Sequence, residues 1–509
     1  VASPVTIQFA GGSTQTITTG GTLALRGKSG QLLTVTSTNA TAWTIDRVSV
    51  VVPVVEYIDL SYGNASTADI AAATSHDAGN NDNGAASPRW VFTTFTHTWL
   101  GTSSGAWNTG TNWQHGYVPN PTDSVILASG ANNLDLGGLT AATRITDVQV
   151  TGTVAATSSG TLRVDGDLIF DGTAVIGSPA NVTWEMHGPV ATINSGIAAS
   201  IGNLDIQPGA GNTISLAVNP LAATNIVVTS GTLNAGAFAL TVTANVTGVG
   251  ELVASSGTTT VGGNISVTTY THNGGTLVLD GTTSTTLAAY TLTNLTLDKT
   301  GAAGSDQVTA GDTTVLGNLV LTDGVLVMGT NSLTLSGATA SISRTSGAIT
   351  SSGTIFFTGT AAQTADLAGS TLTSAAIDAS KTAGSLAFSS GFSAGTFATG
   401  AGANGAFDLS FNTGPGQSTT IAAATTFANT GTLTLGDDAG DSATFTAGVT
   451  ATTPGAKAIA GVVGAAGTGV INLGTSATSV TASTTVGGAS TGTITLAGIT
   501  VADGATLTL

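Results

Sequence analysis

Apolar and polar residues alternate along most of the chain. The alternation is clear in the runs Val5–Phe9, Leu240–Val242 and Leu433–Leu435. Because successive side chains of a β-strand point to opposite faces, this pattern predicts many short, half-buried strands. Thr occupies many of the polar positions, and its branched side chain favours a pleated surface. Windows with helical spacing of apolar residues are rare, so we expect an all-β protein.

A turn motif recurs at intervals that indicate repeated coils. Val, Gly, then Asn or Asp, then an apolar residue appear in Val164–Phe170, Val261–Val267 and Val315–Leu321, with a looser copy that begins at Val242. Taken in chain order, the intervals between the starting positions approximate four, one and three units of about 18–20 residues, a length typical of one solenoid coil. The sequence therefore predicts a parallel β-solenoid.

In such a solenoid, Val and Leu would point inward, and Gly with Asn or Asp would form the corners. We expect these corner glycines to adopt left-handed backbone angles, which glycine tolerates best. A string of antiparallel β-sandwiches is the alternative, because its strands alternate as well. The coil-length phasing and the weakness of the hairpin signals favour the solenoid.

The chain divides into four predicted segments. Residues 1–94 form an N-terminal β-rich module, and residues 95–130 form an irregular Trp-rich segment. Residues 131–381 carry the solenoid spacing. Residues 382–509 are rich in Ala, Gly and Thr, and they form either further solenoid coils or a distinct β domain.

The Trp-rich segment carries the most specific motif of the sequence. Its fixed positions are Trp99, Gly101, Trp107, Asn112, Trp113, Pro119 and Asp123. This arrangement resembles a module of large bacterial surface repeat proteins, where it adjoins β-solenoids similar to filamentous haemagglutinin and autotransporter passengers. The stretches Val55–Ser61 and Asn294–Thr300 are similar to neighbouring parts of such proteins. The resemblance implies an exported, non-enzymatic protein of the cell surface, such as an adhesin, a surface-layer subunit or a fibre subunit.

The residues of the Trp-rich segment allow two interpretations of their own. Trp rings near Asn, Gly and Pro can form a platform on which sugar rings stack. Alternatively, the rings pack against one another as a plug where the cross-section of the solenoid changes. We favour the plug, because aromatic side chains pack in cores more often than they bind ligands.

Composition excludes several functional classes. Only 7% of the 509 residues are charged, the formal net charge is −17, and there is no Cys. Ten dispersed cations cannot form the basic surface that DNA or RNA requires, so we expect no nucleic-acid partner. The absence of Cys excludes thiol catalysis, disulfides and Cys-ligated zinc. The apolar run Val48–Val55 is too short to span a membrane, so we expect no transmembrane helix.

Candidate metal and catalytic residues are few, and we assign no catalytic, cofactor-binding or metal-binding residue. Two clusters of carboxylates would suit calcium, although Asp also caps turns without a metal. They are Asp437, Asp438 and Asp441, and Asp165, Asp167 and Asp171. The five histidines lie at 76, 97, 115, 187 and 272 and show no spacing typical of metal ligands. We therefore expect no cofactor, with calcium as the one open alternative.

Solenoid enzymes that act on acidic glycans need carboxylates and cations on one face. Arg144 and Arg163 are the only cations between Arg89 and Lys299, which argues against such an enzyme. A pair of glycosidase carboxylates stays a remote alternative, since sequence gives no distances between the 27 acidic residues.

The sequence thus predicts an extracellular structural protein that assembles into a filament, sheath or surface layer. An adhesin stalk that presents a binding region, with surface glycans as partners, is the alternative. The chain begins and ends on strand-like runs, Val5–Phe9 and Thr506–Leu509, and open strand edges favour pairing with another copy. We expect head-to-tail homopolymers that are lost when residues 495–509 are removed.

Overall fold

The computed structural model describes residues 5–82, 84, 86–102, 105–128, 133–139, 143–172, 174–196, 200–302, 306–400 and 405–509. Of the described residues, 52% are in β-strands and 1% in helices. Two compact units, Val1–Leu233 and Asn234–Leu509, divide the chain inside the predicted 131–381 segment. Each unit is a parallel β-solenoid, and the chain forms about 21 turns in all.

The strands of the first unit are short, mostly three to five residues. They are β1 (Thr6–Phe9), β2 (Thr14–Ile17), β3 (Ala24–Arg26), β4 (Leu33–Ser37), β5 (Trp43–Arg47), β6 (Val54–Glu56), β7 (Ile58–Leu60), β8 (Gly63–Ser66), β9 (Ile70–Ala72), β10 (His76–Asp77), β11 (Trp90–Phe92), β12 (Thr96–Thr98), β13 (Ser124–Leu127), β14 (Leu134–Asp135), β15 (Arg144–Ile145), β16 (Val148–Val150), β17 (Thr153–Ser158), β18 (Gly160–Val164), β19 (Leu168–Phe170), β20 (Val175–Gly177), β21 (Val182–Met186), β22 (Thr192–Asn194), β23 (Asn203–Ile206), β24 (Thr213–Leu216), β25 (Leu221–Ala223) and β26 (Asn225–Val228). Strand β27 (Thr232–Asn234) lies across the division. Two short 3-10 helices, Gly110–Asn112 and Pro179–Asn181, belong to this unit.

The second unit continues with strands of the same kind, and two long strands lie near its end. They are β28 (Leu240–Val242), β29 (Val246–Val253), β30 (Thr258–Val261), β31 (Ile265–Thr271), β32 (Thr276–Leu279), β33 (Thr285–Leu287), β34 (Tyr290–Leu292), β35 (Asn294–Asp298), β36 (Gln307–Ala310), β37 (Thr313–Val315), β38 (Leu319–Asp323), β39 (Val325–Gly329), β40 (Leu333–Leu335), β41 (Ile342–Arg344), β42 (Ala348–Ser351), β43 (Thr354–Phe357), β44 (Ala362–Ala365), β45 (Leu372–Ala379), β46 (Ser385–Phe388), β47 (Ser393–Thr399), β48 (Asp408–Phe411), β49 (Ser418–Ile421), β50 (Thr425–Thr426), β51 (Thr432–Leu435), β52 (Ser442–Phe445), β53 (Gly448–Thr450), β54 (Ala456–Gly467), β55 (Val470–Asn472), β56 (Thr478–Ser490), β57 (Ile494–Thr495), β58 (Ile499–Val501) and β59 (Leu507–Thr508).

In the first unit, the strands stack in parallel columns. The N-terminal coils pair β1 with β4, β7 and β10 in succession, and β2 with β5 and β8. After the Trp-rich segment, one face pairs β13, β16, β19, β22 and β24. A second face pairs β15, β18, β21, β23 and β26. This stacking of each coil on the preceding one confirms the predicted parallel solenoid.

The second unit has the same parallel stacking through residues 382–509. One face runs from β46 through β48, β51 and β54 to β56, and a second runs through β45, β47 and β49. Of the two alternatives for residues 382–509, the solenoid is therefore the one the structure contains. The long strands β54 and β56, with 12 and 13 residues, mark a change in the coil's outline there.

Coil length varies more than the sequence motif predicts. Leu240 lies beside Thr259, and Leu277 beside Leu295, so these two coils have the predicted length. By contrast, Leu409 lies beside Leu433, and Thr6 beside Thr34, so those coils are several residues longer. The predicted length of about 18–20 residues is therefore wrong for much of the chain. Longer coils keep the strands in register and place the extra residues in their corners.

The core of each coil consists of the inward residues of its strands. In β38, for example, Leu319 and Leu321 are fully buried while Val320 between them is not. Towards the end of the second unit the inward side chains are phenylalanines, and the rings of Phe388, Phe411 and Phe445 are in contact from coil to coil. Interior burial of this kind is the main source of stability in a stacked solenoid.

At the motif glycines Gly166, Gly263 and Gly317, close approach between coils and not backbone conformation requires glycine, whereas other turn glycines such as Gly281 and Gly324 do have a positive φ. We expected left-handed angles at Gly166, Gly263 and Gly317, but none of the three has a positive φ. A Cβ at Gly263 would lie 2.6 Å from the carbonyl oxygen of Ala244 in the coil below. At Gly166 it would lie 2.6 Å from the carbonyl oxygen of Thr146. Each glycine therefore lets two coils come within hydrogen-bonding distance at a corner.

The Asn or Asp that follows each corner glycine forms a ladder between coils. The backbone N–H of Asn264 donates to Oδ1 of Asn245 at 2.9 Å, and Oδ1 of Asn264 accepts the N–H of Thr286 at 2.9 Å. In the first unit, the backbone N–H of Asp167 donates to Oδ1 of Asp147 at 2.8 Å in the same way. The Asn or Asp of the motif therefore supplies hydrogen-bond acceptors for backbone N–H groups at the corners, where the hydrogen bonds between strands are interrupted.

Candidate functional site

The tryptophans of the Trp-rich segment form one buried cluster. Trp99, Trp107 and Trp113 are each 1% exposed. The ring of Trp113 meets those of Trp99 and Trp107 edge-on, with centroids 5.0 and 4.7 Å apart. The indole N–H of Trp113 donates to the carbonyl oxygen of Trp107 at 2.9 Å. Because the rings are enclosed, they cannot stack on a sugar, and the structure supports the plug.

A buried contact between a histidine and an aspartate adjoins this Trp cluster. His97 and Asp123 are both 0% exposed, and Nε2 of His97 lies 3.1 Å from Oδ2 of Asp123. Asp123 also accepts the backbone N–H groups of Phe95 and Asn120, each at 2.8 Å. A buried carboxylate with three donors is well satisfied, so Asp123 fixes the chain at both ends of the Trp-rich segment. Sequence reasoning placed Asp123 in the motif but gave it no partner.

The other histidines do not converge on a common ligand. His115 lies against His97 with ring centroids 5.0 Å apart, and burial together with His97 lowers the pKa of His115. His76 contacts Oδ1 of Asp59 at 2.7 Å, and His272 contacts Thr293 at 2.9 Å. His187 pairs with Glu185. Within the described ranges, His76, His187 and His272 therefore each have a partner of their own.

A cleft of about 260 Å³ opens beside the Trp-rich segment. Charged, aromatic and hydroxyl groups line it, including Asp77, Arg89, Phe92, Thr94 and Asn120. Asn120 holds one wall in place, because its side chain accepts the N–H of Asp77 at 2.9 Å and donates to the carbonyl oxygen of Ser75 at 2.9 Å. A guanidinium, a carboxylate and an aromatic ring in one small cleft are groups that can bind a polar, ring-shaped ligand.

One of the two predicted acidic clusters comes together. Among the described residues, one group of at least three acidic or histidine side chains could share a metal ion. It consists of Asp437, Asp438 and Asp441, and one carboxylate oxygen of each lies within 4.8 Å of the others. However, Asp441 is 1% exposed and accepts three backbone N–H groups, from Gln417, Asp437 and Asp438. Burial and the charge of Asp441 raise the pKa of Asp437. The cluster therefore acts as a turn cap, with the oxygens of Asp441 already occupied by backbone donors.

The second acidic cluster does not form. Asp165 pairs with Arg144 and Arg163, whereas Asp167 accepts the N–H of Thr192 at 2.7 Å. Asp171 accepts a hydrogen bond from Gln149 at 2.5 Å. These carboxylates are used one by one in separate contacts, most of them between coils.

Three buried lysines in the second unit were missed by sequence reasoning. Lys299 and Lys381 are 0% exposed, and Lys457 is 2% exposed. The ammonium group of Lys299 donates to the carbonyl oxygen of Asp280 at 2.6 Å. That of Lys381 donates to the carbonyl oxygens of Gly359 and Ala361 and to Oε1 of Gln363. The signal was present: Leu295, Leu297 and Lys299 follow one strand with period two, which places all three inward.

Comparison with known proteins gives no relative for this chain. No protein-family model, no curated protein and no solved structure matches it. Within the described ranges, none of the helices has the length and apolar character needed to cross a bilayer.

Proposed function

We propose that this chain is a structural protein of the bacterial cell surface that assembles with copies of itself into a filament, sheath or surface layer. The observation that carries the proposal is an uncharged outward column on the second unit. Six residues that face away from the core lie in strand register on successive coils. They are Ala387, Ser410, Thr434, Ala458, Ser479 and Thr500.

The chemistry of this uncharged column favours contact with another protein surface. Charged residues on a protein surface discourage unwanted association, because they must be desolvated when two surfaces meet. This column has none of them across six coils, and its side chains are small. Small side chains let two flat faces approach closely without ordering long, flexible groups. Self-association therefore meets little desolvation cost along this face.

The test places charge in the middle of the uncharged column. Thr434→Glu combined with Ala458→Glu sets two carboxylates in register on adjacent coils. Electron microscopy and sedimentation of the purified chain should show ordered assemblies for the native protein and their loss in this variant. A matched control is Thr373→Glu with Thr396→Glu, at exposed positions of β45 and β47 on another face. The control adds the same charge and should still assemble.

Two results would count against the proposal. The native chain could stay monomeric across the accessible range of concentration and salt, with no ordered fibre or lattice on cells that produce it. Alternatively, the Thr434→Glu and Ala458→Glu variant and the Thr373→Glu and Thr396→Glu control could lose assembly equally. The second result would mean that total charge, and not this face, governs association.

A second candidate function is that of a stalk that presents a glycan-binding site, and the cleft beside the Trp-rich segment favours it. Arg89 can bind hydroxyl or carboxylate groups of a sugar, Asp77 can accept hydrogen bonds from its hydroxyl groups, and Phe92 can contact its ring. A glycan array probed with the native chain and with Arg89→Ala tests this function. Binding that Arg89→Ala abolishes supports the stalk, and an array without any signal removes this candidate.

A further inference from the structure

The outer face of the first unit carries charged residues in an unusual order. Arg144, Arg163, Glu185 and Asp205 lie in strand register on the successive strands β15, β18, β21 and β23. We refer to these four residues as the charge column. Along the stack, the column reads positive, positive, negative, negative.

This order is poorly suited to the stability of a single chain. Like charges in register on neighbouring strands destabilise a sheet, whereas opposite charges stabilise it. Alternating signs would satisfy every neighbour, but the charge column contains two like pairs, Arg144 with Arg163 and Glu185 with Asp205. Two of the chain's 10 Lys and Arg residues therefore lie in adjacent register on this face.

Neighbouring side chains neutralise the charge column only in part. Asp165 contacts both Arg144 and Arg163, which leaves one net positive charge on that half. His187 contacts Glu185, and Asp205 accepts neutral donors. The arginine side chains remain 46% and 30% exposed, and Glu185 is 26% exposed. The face is therefore accessible and bipolar, positive in one half and negative in the other.

We propose that this face docks onto the same face of a second copy of the chain, with the two coil stacks antiparallel. A two-fold axis between the rows of Arg163 and Glu185 places Arg163 of each copy opposite Glu185 of the other. The same operation places Arg144 opposite Asp205. Parallel docking in register would instead set like charges against each other, so the column selects the antiparallel arrangement.

The flanking positions agree with this arrangement. Thr161 and Asp165 flank Arg163, and Thr183 and His187 flank Glu185 at the equivalent places. The two-fold axis brings Thr161 opposite Thr183 and Asp165 opposite His187 of the other copy. None of these opposed pairs brings two like charges together, which is the self-complementarity that an isologous contact requires.

This inference rests on the proposed function and adds the geometry of one lateral contact. Since the opposed charges are at least partly exposed, salt should weaken the contact once the Debye length falls below about 10 Å, that is, above about 0.1 M salt. Four partly exposed pairs of this kind should together change the dimer dissociation constant by roughly a hundredfold.

Charge exchange tests the contact directly. The double variant Arg144→Glu with Arg163→Glu makes the whole column negative, and Glu185→Arg with Asp205→Arg makes it positive. Sedimentation velocity at low salt should show lateral dimers for the native chain and a weakening of roughly a hundredfold for each double variant. A mixture of the two double variants should restore dimers, as should the quadruple variant, whose column is inverted but again self-complementary.

Controls separate docking from folding and from total charge. Circular dichroism and thermal melting establish that each variant keeps its solenoid. Arg26→Glu with Lys28→Glu, at exposed positions elsewhere in the first unit, changes the net charge by the same amount as the arginine variant and should leave dimers intact.

The outcomes distinguish this inference from the proposed function. If the native chain assembles and the double variants assemble equally well, the charge column is not the contact and only this inference fails. If the double variants dissociate but neither the mixture nor the quadruple variant recovers, charge complementarity is refuted. If the native chain never associates, both proposals fail.

Discussion

Replacing Lys381 with methionine should remove a pH-dependent part of the protein's stability. The Lys381 side chain is completely buried, and its ammonium group has only neutral acceptors among its hydrogen-bond partners. Burial lowers the pKa of Lys381 from 10.5 to about 8. Methionine has a similar length and no charge, so the substitution deletes the ionisable group and fills most of its volume.

The magnitude follows from the pKa of Lys381. Each pKa unit corresponds to about 1.4 kcal/mol, so the interior disfavours the charged form by roughly 3 kcal/mol. Between about pH 8 and 10.5, the unfolded chain holds a proton on Lys381 that the folded chain has released. Unfolding therefore takes up a proton, and the free energy of unfolding rises by at most about 1.4 kcal/mol per pH unit across this window.

Denaturant unfolding at pH 7, 8, 9 and 10 measures the effect. The free energy of unfolding of the native chain should increase with pH by roughly 3 kcal/mol more than that of Lys381→Met. Other buried groups contribute to both proteins and cancel in the difference, including Tyr290, whose pKa burial raises to about 12. At pH 7, relief of the buried charge opposes the loss of partners for Gln363 and two carbonyl groups, so we expect a small net change there.

Lys28→Met is the matched control, because Lys28 is exposed. It should leave the pH dependence of unfolding as it is in the native chain. Parallel curves for the native chain and Lys381→Met between pH 8 and 10 would refute the reasoning. They would mean that the folded chain does not release the proton of Lys381 in this window.

Three further predictions concern the corner glycine Gly263, the buried contact between His97 and Asp123, and the acidic turn at Asp437. Gly263→Ala should lower the free energy of unfolding by about 1–3 kcal/mol, because the added Cβ would collide with a carbonyl oxygen of the coil below. The control Gly257→Ala should have little effect, and equal melting temperatures for the two variants would contradict this prediction. Asp123→Ala should destabilise the chain by about 3 kcal/mol or more and alter the Trp fluorescence of the plug, and an unchanged emission spectrum with melting at the native temperature would contradict its role. Asp437→Asn should raise the melting temperature at pH 7 and not at pH 3, because the fold disfavours the ionised carboxylate of Asp437; a decrease at pH 7 would instead point to a role for its charge.

Much of the fold could be predicted because its rules are local. The alternation at Leu240–Val242 and Leu433–Leu435 became β28 and β51, since side-chain direction in a strand depends only on parity. The repeated Gly with Asn or Asp marked the corners, because every stacked coil meets the same crowding there. The expected left-handed angle was wrong at Gly166, Gly263 and Gly317, however, because contact between the backbones of two coils requires glycine there, and that contact cannot be read from one coil's own sequence.

The candidate site could be predicted less well, because it depends on pairs that are distant in sequence. His97 and Asp123 are 26 residues apart, and no local pattern connects them. The burial of Trp99 and Trp107 decided between a plug and a sugar platform, which composition could not do. In the same way, Asp437 and Asp441 came together while Asp165 and Asp167 were drawn to separate partners.

By itself, the sequence determined the class of fold, the strand positions and the scarcity of charge, because these follow from residue type and short-range spacing. Only the tertiary structure decided which residues of successive coils become neighbours. Corners of variable length set that register: Arg144, Arg163, Glu185 and Asp205 are unequally spaced along the chain, yet they form one column. A fixed period would misalign them. The lengths of the successive coils therefore determine which side chains lie next to each other on the surface of a solenoid, and these neighbours are known only once the coils are stacked.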